Sequence, residues 1–194
     1  TGSGFNAVVD VLTMKMYKYA GDSGKAEILD IPANYANQAA ELQGKLIEQA
    51  AENDEALMEI FFANDTLTED EMRKGITAGL IKAGIIPVFC VSAKKNIGIT
   101  RFMEFLSKTL PSPAAMPAPK VGDKEVKCDK SGQTAIFIFK TAYEPHVGEI
   151  NYFKVMSGEL KEAADLVNNT TQNKERLSQI FLTHGKIRVK ISSM

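Results

Sequence analysis

Cysteine and histidine are scarce in this chain, with two of each among 194 residues. Cys90 and Cys128 are too few for a disulfide framework, so the small disulfide-stapled secreted folds are set aside and two reduced thiols are expected. Neither cysteine stands at metal-ligand spacing from His146 or His184, and no zinc site is expected. Long apolar runs are missing too. The best, Ile85 to Val91, is interrupted by Pro87 and is far shorter than the roughly 20 residues that a membrane-spanning helix needs. Thr1-Gly2-Ser3-Gly4 has neither the basic start and apolar stretch of a signal peptide nor an initiator Met, so this end is expected to be cut or processed. No serine or cysteine is set out with a base and an orienting carboxylate, and no catalytic residue is assigned. What is present, 44% hydrophobic and 24% charged residues, is the composition of a soluble globular protein, and with two reduced thiols a cytoplasmic location and no membrane partner are expected.

The formal net charge of −1 conceals an asymmetry. From Glu41 to Glu71 there are ten carboxylates against one base, Lys45, whereas from Lys120 to Met194 twelve Lys or Arg face nine acids. One region suits a basic partner and the other tolerates a phosphate backbone. Between them Pro111, Pro113, Pro117 and Pro119 fall within nine residues, favouring extended geometry and forbidding a continuous helix. That stretch marks a boundary: 1–110 as a first domain, 111–133 as hinge and linker, 134–194 as a second.

In the first domain, Phe5 to Tyr19 reads as one or two strands, followed by a turn at Gly21–Gly24. Helices are expected over Asn34–Glu52 and Glu55–Ala63 from apolar residues at spacings of three and four. Thr68-Glu69-Asp70-Glu71 is a capping box, in which hydroxyl and carboxylate satisfy free amides at a helix start. The helix it opens carries Met72, Ile76 and Leu80 and is expected to stop at Gly84. Ile85–Val91 then reads as a buried strand, Ser92–Gly98 as a loop, and the following segment as a helix with Phe102, Phe105, Leu106 and Leu110 on one side. Beyond the hinge, Ala135–Lys140, Glu149–Met156, Asp165–Asn168 and Leu177–Leu182 have strand length and are separated by turn residues, the pattern of a small antiparallel β-barrel.

Two glycine-rich motifs fail on inspection. Gly2-Ser3-Gly4 follows no strand and has no Gly three residues on. Gly21-Asp22-Ser23-Gly24-Lys25 has Tyr19 where a phosphate loop needs its first Gly and Ala26 where it needs Ser or Thr, so a plain turn is expected. Ser92-Ala93-Lys94 is more informative, because it lies between a strand-like run and a helix, where ligands bind in open α/β folds.

Pro87-Val88-Phe89-Cys90-Val91-Ser92-Ala93-Lys94-Lys95-Asn96-Ile97-Gly98, then a helix, then Leu110-Pro111-Ser112-Pro113, resembles the end of the GTPase domain of elongation factor G. Phe5-Asn6-Ala7-Val8-Val9-Asp10, the acidic helices and Leu67-Thr68-Glu69-Asp70-Glu71 resemble the helical insertion of that domain. Glu144-Pro145-His146-Val147-Gly148-Glu149-Ile150, Val155-Met156-Ser157-Gly158-Glu159-Leu160 and Asn173-Lys174-Glu175-Arg176-Leu177 resemble its second domain, the barrel. The resemblance implies an α/β partial GTPase domain with a helical insertion followed by an antiparallel β-barrel, cut upstream after the Asn-Lys-x-Asp motif and downstream inside the barrel. It implies a translocase acting in elongation on the ribosome, with GTP and Mg2+ as cofactors of the intact parent and none for this stretch, which lacks the phosphate-binding and switch motifs. Ser92, Ala93 and Lys94 match the family's last guanine-recognition motif. The implied partners are the ribosomal stalk protein, through the acidic insertion, and small-subunit ribosomal RNA, through barrel bases such as Lys174 and Arg176. Lys94 stands where the family commonly has Phe, and Lys161–Asp165 lacks its usual Gly, which implies a divergent paralogue. A tetracycline ribosomal-protection protein, or a non-catalytic ribosome-binding module, is the alternative.

Overall fold

A computed structural model describes residues 4–194; Gly2 and Ser3 of the first glycine motif lie outside them. The chain divides into two compact units, one ending at Pro111 and the other running from Ser112 to Met194.

The first unit opens with a three-stranded antiparallel sheet, β1 (Ala7–Asp10), β2 (Lys15–Tyr19) and β3 (Ala26–Leu29), in that order. The Asp10 carboxylate accepts from the Leu12 amide at 2.9 Å and shapes the first turn, leaving Ala7 opposite Lys18 and Asp10 opposite Lys15. The phosphate-loop-like Gly21–Lys25 is the turn joining β2 to β3. Its strand β3 has no clear alternation in sequence and is recognised only by its pairing, with Met16 opposite Leu29.

Four helices follow: α1 (Ala33–Ala51), α2 (Glu55–Asn64), α3 (Glu69–Ile81) and α4 (Ile99–Thr109). Asp54 caps α2 by accepting from the amides of Ala56 and Leu57. The capping box opens α3 as its residues predict: the Glu71 carboxylate accepts from the Thr68 amide at 2.7 Å while the Thr68 hydroxyl accepts from the Glu71 amide at 3.3 Å. Ile47, Ala50 and Ala51 of α1 meet Met72 and Ile76 of α3, with Leu12 and Leu67 completing a buried cluster. Gly75 permits this approach, because a Cβ there would sit 2.2 Å from the Ala50 carbonyl oxygen. Arg73, buried on α3, donates to the Thr109 hydroxyl at 3.0 Å and pairs with Glu69 at 2.6 Å, so its charge is satisfied where it is desolvated.

The expected buried strand at 85–91 does not form. The segment is extended and alternates, with Ile85, Pro87 and Phe89 half-buried while Ile86 (85% exposed) and Val88 (88% exposed) face outward and Cys90 is exposed as well. Its inner face is anchored by Phe89, which meets Phe102 and Phe105 edge-on at centroid distances of 5.1 and 4.9 Å. A strand is defined by a hydrogen-bonded neighbour, and among the described residues none lies beside it: residues 86–91 form no backbone hydrogen bond. Apolar composition therefore correctly marks an extended run but not a paired or buried one.

In the second unit a short 3-10 turn at Pro113–Ala115 precedes a minimal hairpin, β4 (Lys120–Val121) with β5 (Lys124–Glu125). Three antiparallel pairs follow: β6 (Ala135–Glu144) with β7 (Gly148–Ser157), β8 (Asp165–Val167) with β9 (Lys174–Arg176), and β10 (Ile180–His184) with β11 (Ile187–Ile191). The first pair is bulged near Phe139, which increases local twist. A bridge between Lys161 and Ser193, with reciprocal amide bonds between Leu160 and Met194, ties the end of the chain to the segment after β7. The architecture is thus mixed α/β with several small antiparallel sheets. No closed barrel is present among the described residues: each hairpin is a separate two-stranded sheet, so its outer edges remain unpaired.

Candidate functional site

Ser92, Ala93 and Lys94 come together by sequence at one end of a tight turn. The Ser92 amide donates to the Ile97 carbonyl at 2.9 Å and the Ile97 amide returns the bond at 3.0 Å, closing a four-residue turn over Ala93–Asn96. Inside it the Asn96 amide donates to the Ala93 carbonyl at 3.3 Å. The amides of Ala93 and Lys94 donate to no group among the described residues, and both residues are exposed. Two neighbouring free amide donors suit an acceptor such as a carbonyl oxygen. The donor set for magnesium is different: among the described residues no three His, Cys, Asp or Glu side chains converge.

The base of the turn is held firmly. Ile97 is 3% exposed and packs with Tyr17 and Tyr19 of β2, joined by Phe5, Val8 and Ala26. Directly after it the chain enters α4, whose Arg101 crosses back to the sheet. The guanidinium bonds the Asp10 carboxylate at 2.6 and 3.2 Å, lies 4.4 Å from the centre of the Tyr17 ring, and pairs with Glu104. Lys108 lies 2.7 Å from Glu104 and, with Arg101, holds that carboxyl below its usual pKa. The Tyr19 hydroxyl is buried and closes no hydrogen bond. Burial pushes its pKa up, an effect partly offset by the nearby Gly98 backbone. An open cleft of about 740 Å³ borders this network between β2–β3 and α4. None of this cluster is marked by a sequence motif; only the aromatic content of Lys15–Tyr19 hints at it.

The acidic stretch is distributed over α1 to α3. Glu41 pairs with Lys45, Glu69 with Arg73, and Asp54 and Glu71 cap helices, where bonds from the Leu57 amide and the Thr68 amide respectively depress their pKa values. Glu48, Glu52, Glu55, Glu59, Asp65 and Asp70 stay exposed, and Phe62 beside them is 79% exposed. Lys174 and Arg176 are exposed on β9, with Glu175 between them bonded by the Asn168 side chain at 2.8 Å.

No family model matches the chain. It is similar to a crystal structure of a protein from Thermus thermophilus, with a TM-score of 0.75 and 21% sequence identity over 100% of this chain. The chain spans 27% of the length of that protein. At that identity the likeness establishes a shared fold and nothing finer.

Proposed function

We propose that this chain is part of a translational GTPase of the elongation factor G type, carrying the end of the GTPase domain with its helical insertion and the beginning of the barrel domain. The observation that carries the reading is the Ile85–Lys94 segment. One face rests on α4 through Phe89, the other is bare and apolar, and residues 86–91 make no backbone hydrogen bond among the described residues, which is the condition of a sheet strand whose neighbours belong to other sequence. It ends in a turn with two free amides ahead of a helix, the place where an open α/β sheet binds ligands. Ser92, Ala93 and Lys94 then contact guanine in the intact parent, while phosphate and Mg2+ binding belong to segments outside this sequence. The hairpins β6 to β11 are, in this reading, part of a barrel, and the intact protein moves transfer RNA and messenger RNA through the ribosome in the cytoplasm.

A second reading, a ribosome-binding module without catalysis, is favoured by the exposed carboxylates around Phe62. Such a surface suits a basic protein partner, here the stalk of the large subunit, while Lys174 and Arg176 offer cations to small-subunit ribosomal RNA. Crosslinking the chain to ribosomes with and without the stalk tests both readings. Crosslinks from α1–α2 that vanish on stalk removal support docking there; absence of any specific crosslink to either subunit overturns the ribosomal reading.

A further inference from the structure

The Ser92–Lys94 turn, closed by its own Ser92–Ile97 bonds, also touches a distant segment of the same unit. Its far end, Asn96, adopts a left-handed backbone with φ of 52°. The Asn96 side chain lies against the β2–β3 turn, more than seventy positions earlier, and donates to the Asp22 carbonyl at 3.4 Å. Beneath it is Gly24, with φ of 72°, where a Cβ would stand 2.5 Å from the Asn96 side-chain Nδ2 and 2.9 Å from its Cγ. In the first turn of α4, the Thr100 hydroxyl donates to the Gly24 carbonyl at 3.0 Å and closes the contact. Ile97, between these two bonds, is locked among Tyr17 and Tyr19. Three attachments thus tie residues 96–100 to the small sheet and its turn.

We propose that the β2–β3 turn is a clasp that sets the conformation of the Ser92–Lys94 loop, which makes Gly24, Asn96 and Thr100 positioning residues for the ligand that loop holds. The ligand half of the proposal rests on the guanine reading above; the conformational half does not. Gly24 is required on two counts, the left-handed backbone and the room for Asn96. Asn96 tolerates its own left-handed backbone better than most residues while supplying the bond to Asp22. The motif-like Gly21–Lys25 therefore serves a base loop from a distance, without touching phosphate.

Amide hydrogen exchange read by NMR on the full chain tests the clasp. The Ser92 and Ile97 amides report closure of the turn, and the amides of α1 and α3 report the stability of the unit. Gly24→Ala should speed exchange at Ser92 and Ile97 by at least ~10-fold beyond any change in α1 and α3. Thr100→Val and Asn96→Asp, which keep shape and backbone preference, should each do so by ~2–5-fold, and they decide the matter if Gly24→Ala does not fold. Gly122→Ala, an equally left-handed glycine in the second unit, should leave Ser92 and Ile97 unchanged. Unaltered exchange at both amides, or a rise that merely parallels α1 and α3, overturns the clasp. A separate titration with millimolar guanosine monophosphate follows the Ala93 and Lys94 amide shifts. Shifts in the wild type that weaken in Thr100→Val and Asn96→Asp support positioning of the base. Equal shifts in the variants overturn that positioning; no shift in the wild type overturns the ligand half of the proposal and leaves the clasp to the exchange result.

Discussion

The two units reach order by different means. In the first, helices satisfy their own backbone and need bury only one stripe each, so Ile47 and Ala50 of α1 and Met72 and Ile76 of α3 close a core between two helices. In the second, Leu160 and Ile180 are the buried apolar residues, while Phe137, Phe139, Phe181 and Val189 remain substantially exposed along two-stranded pairs. A hairpin pairs one edge of each strand and leaves the other edge and one face dependent on something further. Apolar content does not by itself make a core. The second unit has the residues for one, but separate hairpins cannot surround them.

The largest test of this contrast compares deletions of similar kind. Met72→Ala should cost about 2–5 kcal/mol in urea unfolding followed by helical circular dichroism, because it empties a closed cluster. Phe181→Ala removes more atoms yet should cost about 1 kcal/mol or less, since its site is already half solvated. Equal costs would break the distinction between the units. A smaller effect sharpens the first unit: Thr68→Ala should lose about 1 kcal/mol by leaving the Glu71 amide without its acceptor, with exchange rising first at the start of α3. The smallest is pH dependence. Asp54 and Glu71 have pKa values below their ordinary ones, first through bonds from the Leu57 and Thr68 amides respectively. Their stabilisation is therefore complete above the unfolded values of 3.8 and 4.5 and is lost as pH falls through the depressed ones. An acid titration should fray α2 and α3 at their first turns before the α1–α3 contact opens; simultaneous loss would show that the caps are not separately titrating features.

Local signals were the legible ones. Thr68 and Glu71 announce the start of α3 because the capping box involves only residues three apart, and the helical spacing of Ile47, Met72 and Ile76 points to the faces that meet. The Ser92–Lys94 turn was legible as a loop before a helix. Strand β3 was not, because Ala26–Leu29 shows no strict alternation and is defined by β2. Nor was the network of Arg101 with Asp10 and Tyr17, since its members lie up to 91 positions apart. The run Ile85–Val91 predicts burial that the structure does not show, because apolar residues report a preference for leaving water, and satisfying that preference requires a partner surface.

The sequence by itself determined the helices, the capping box of α3, the proline-marked change of character and the identity of the exposed turn, all features of neighbouring residues. Only the tertiary structure decided which apolar runs are covered and what holds the turn in place. Burial and long-range hydrogen bonds depend on distant segments meeting, as Gly24 meets Asn96, and no local pattern encodes that meeting.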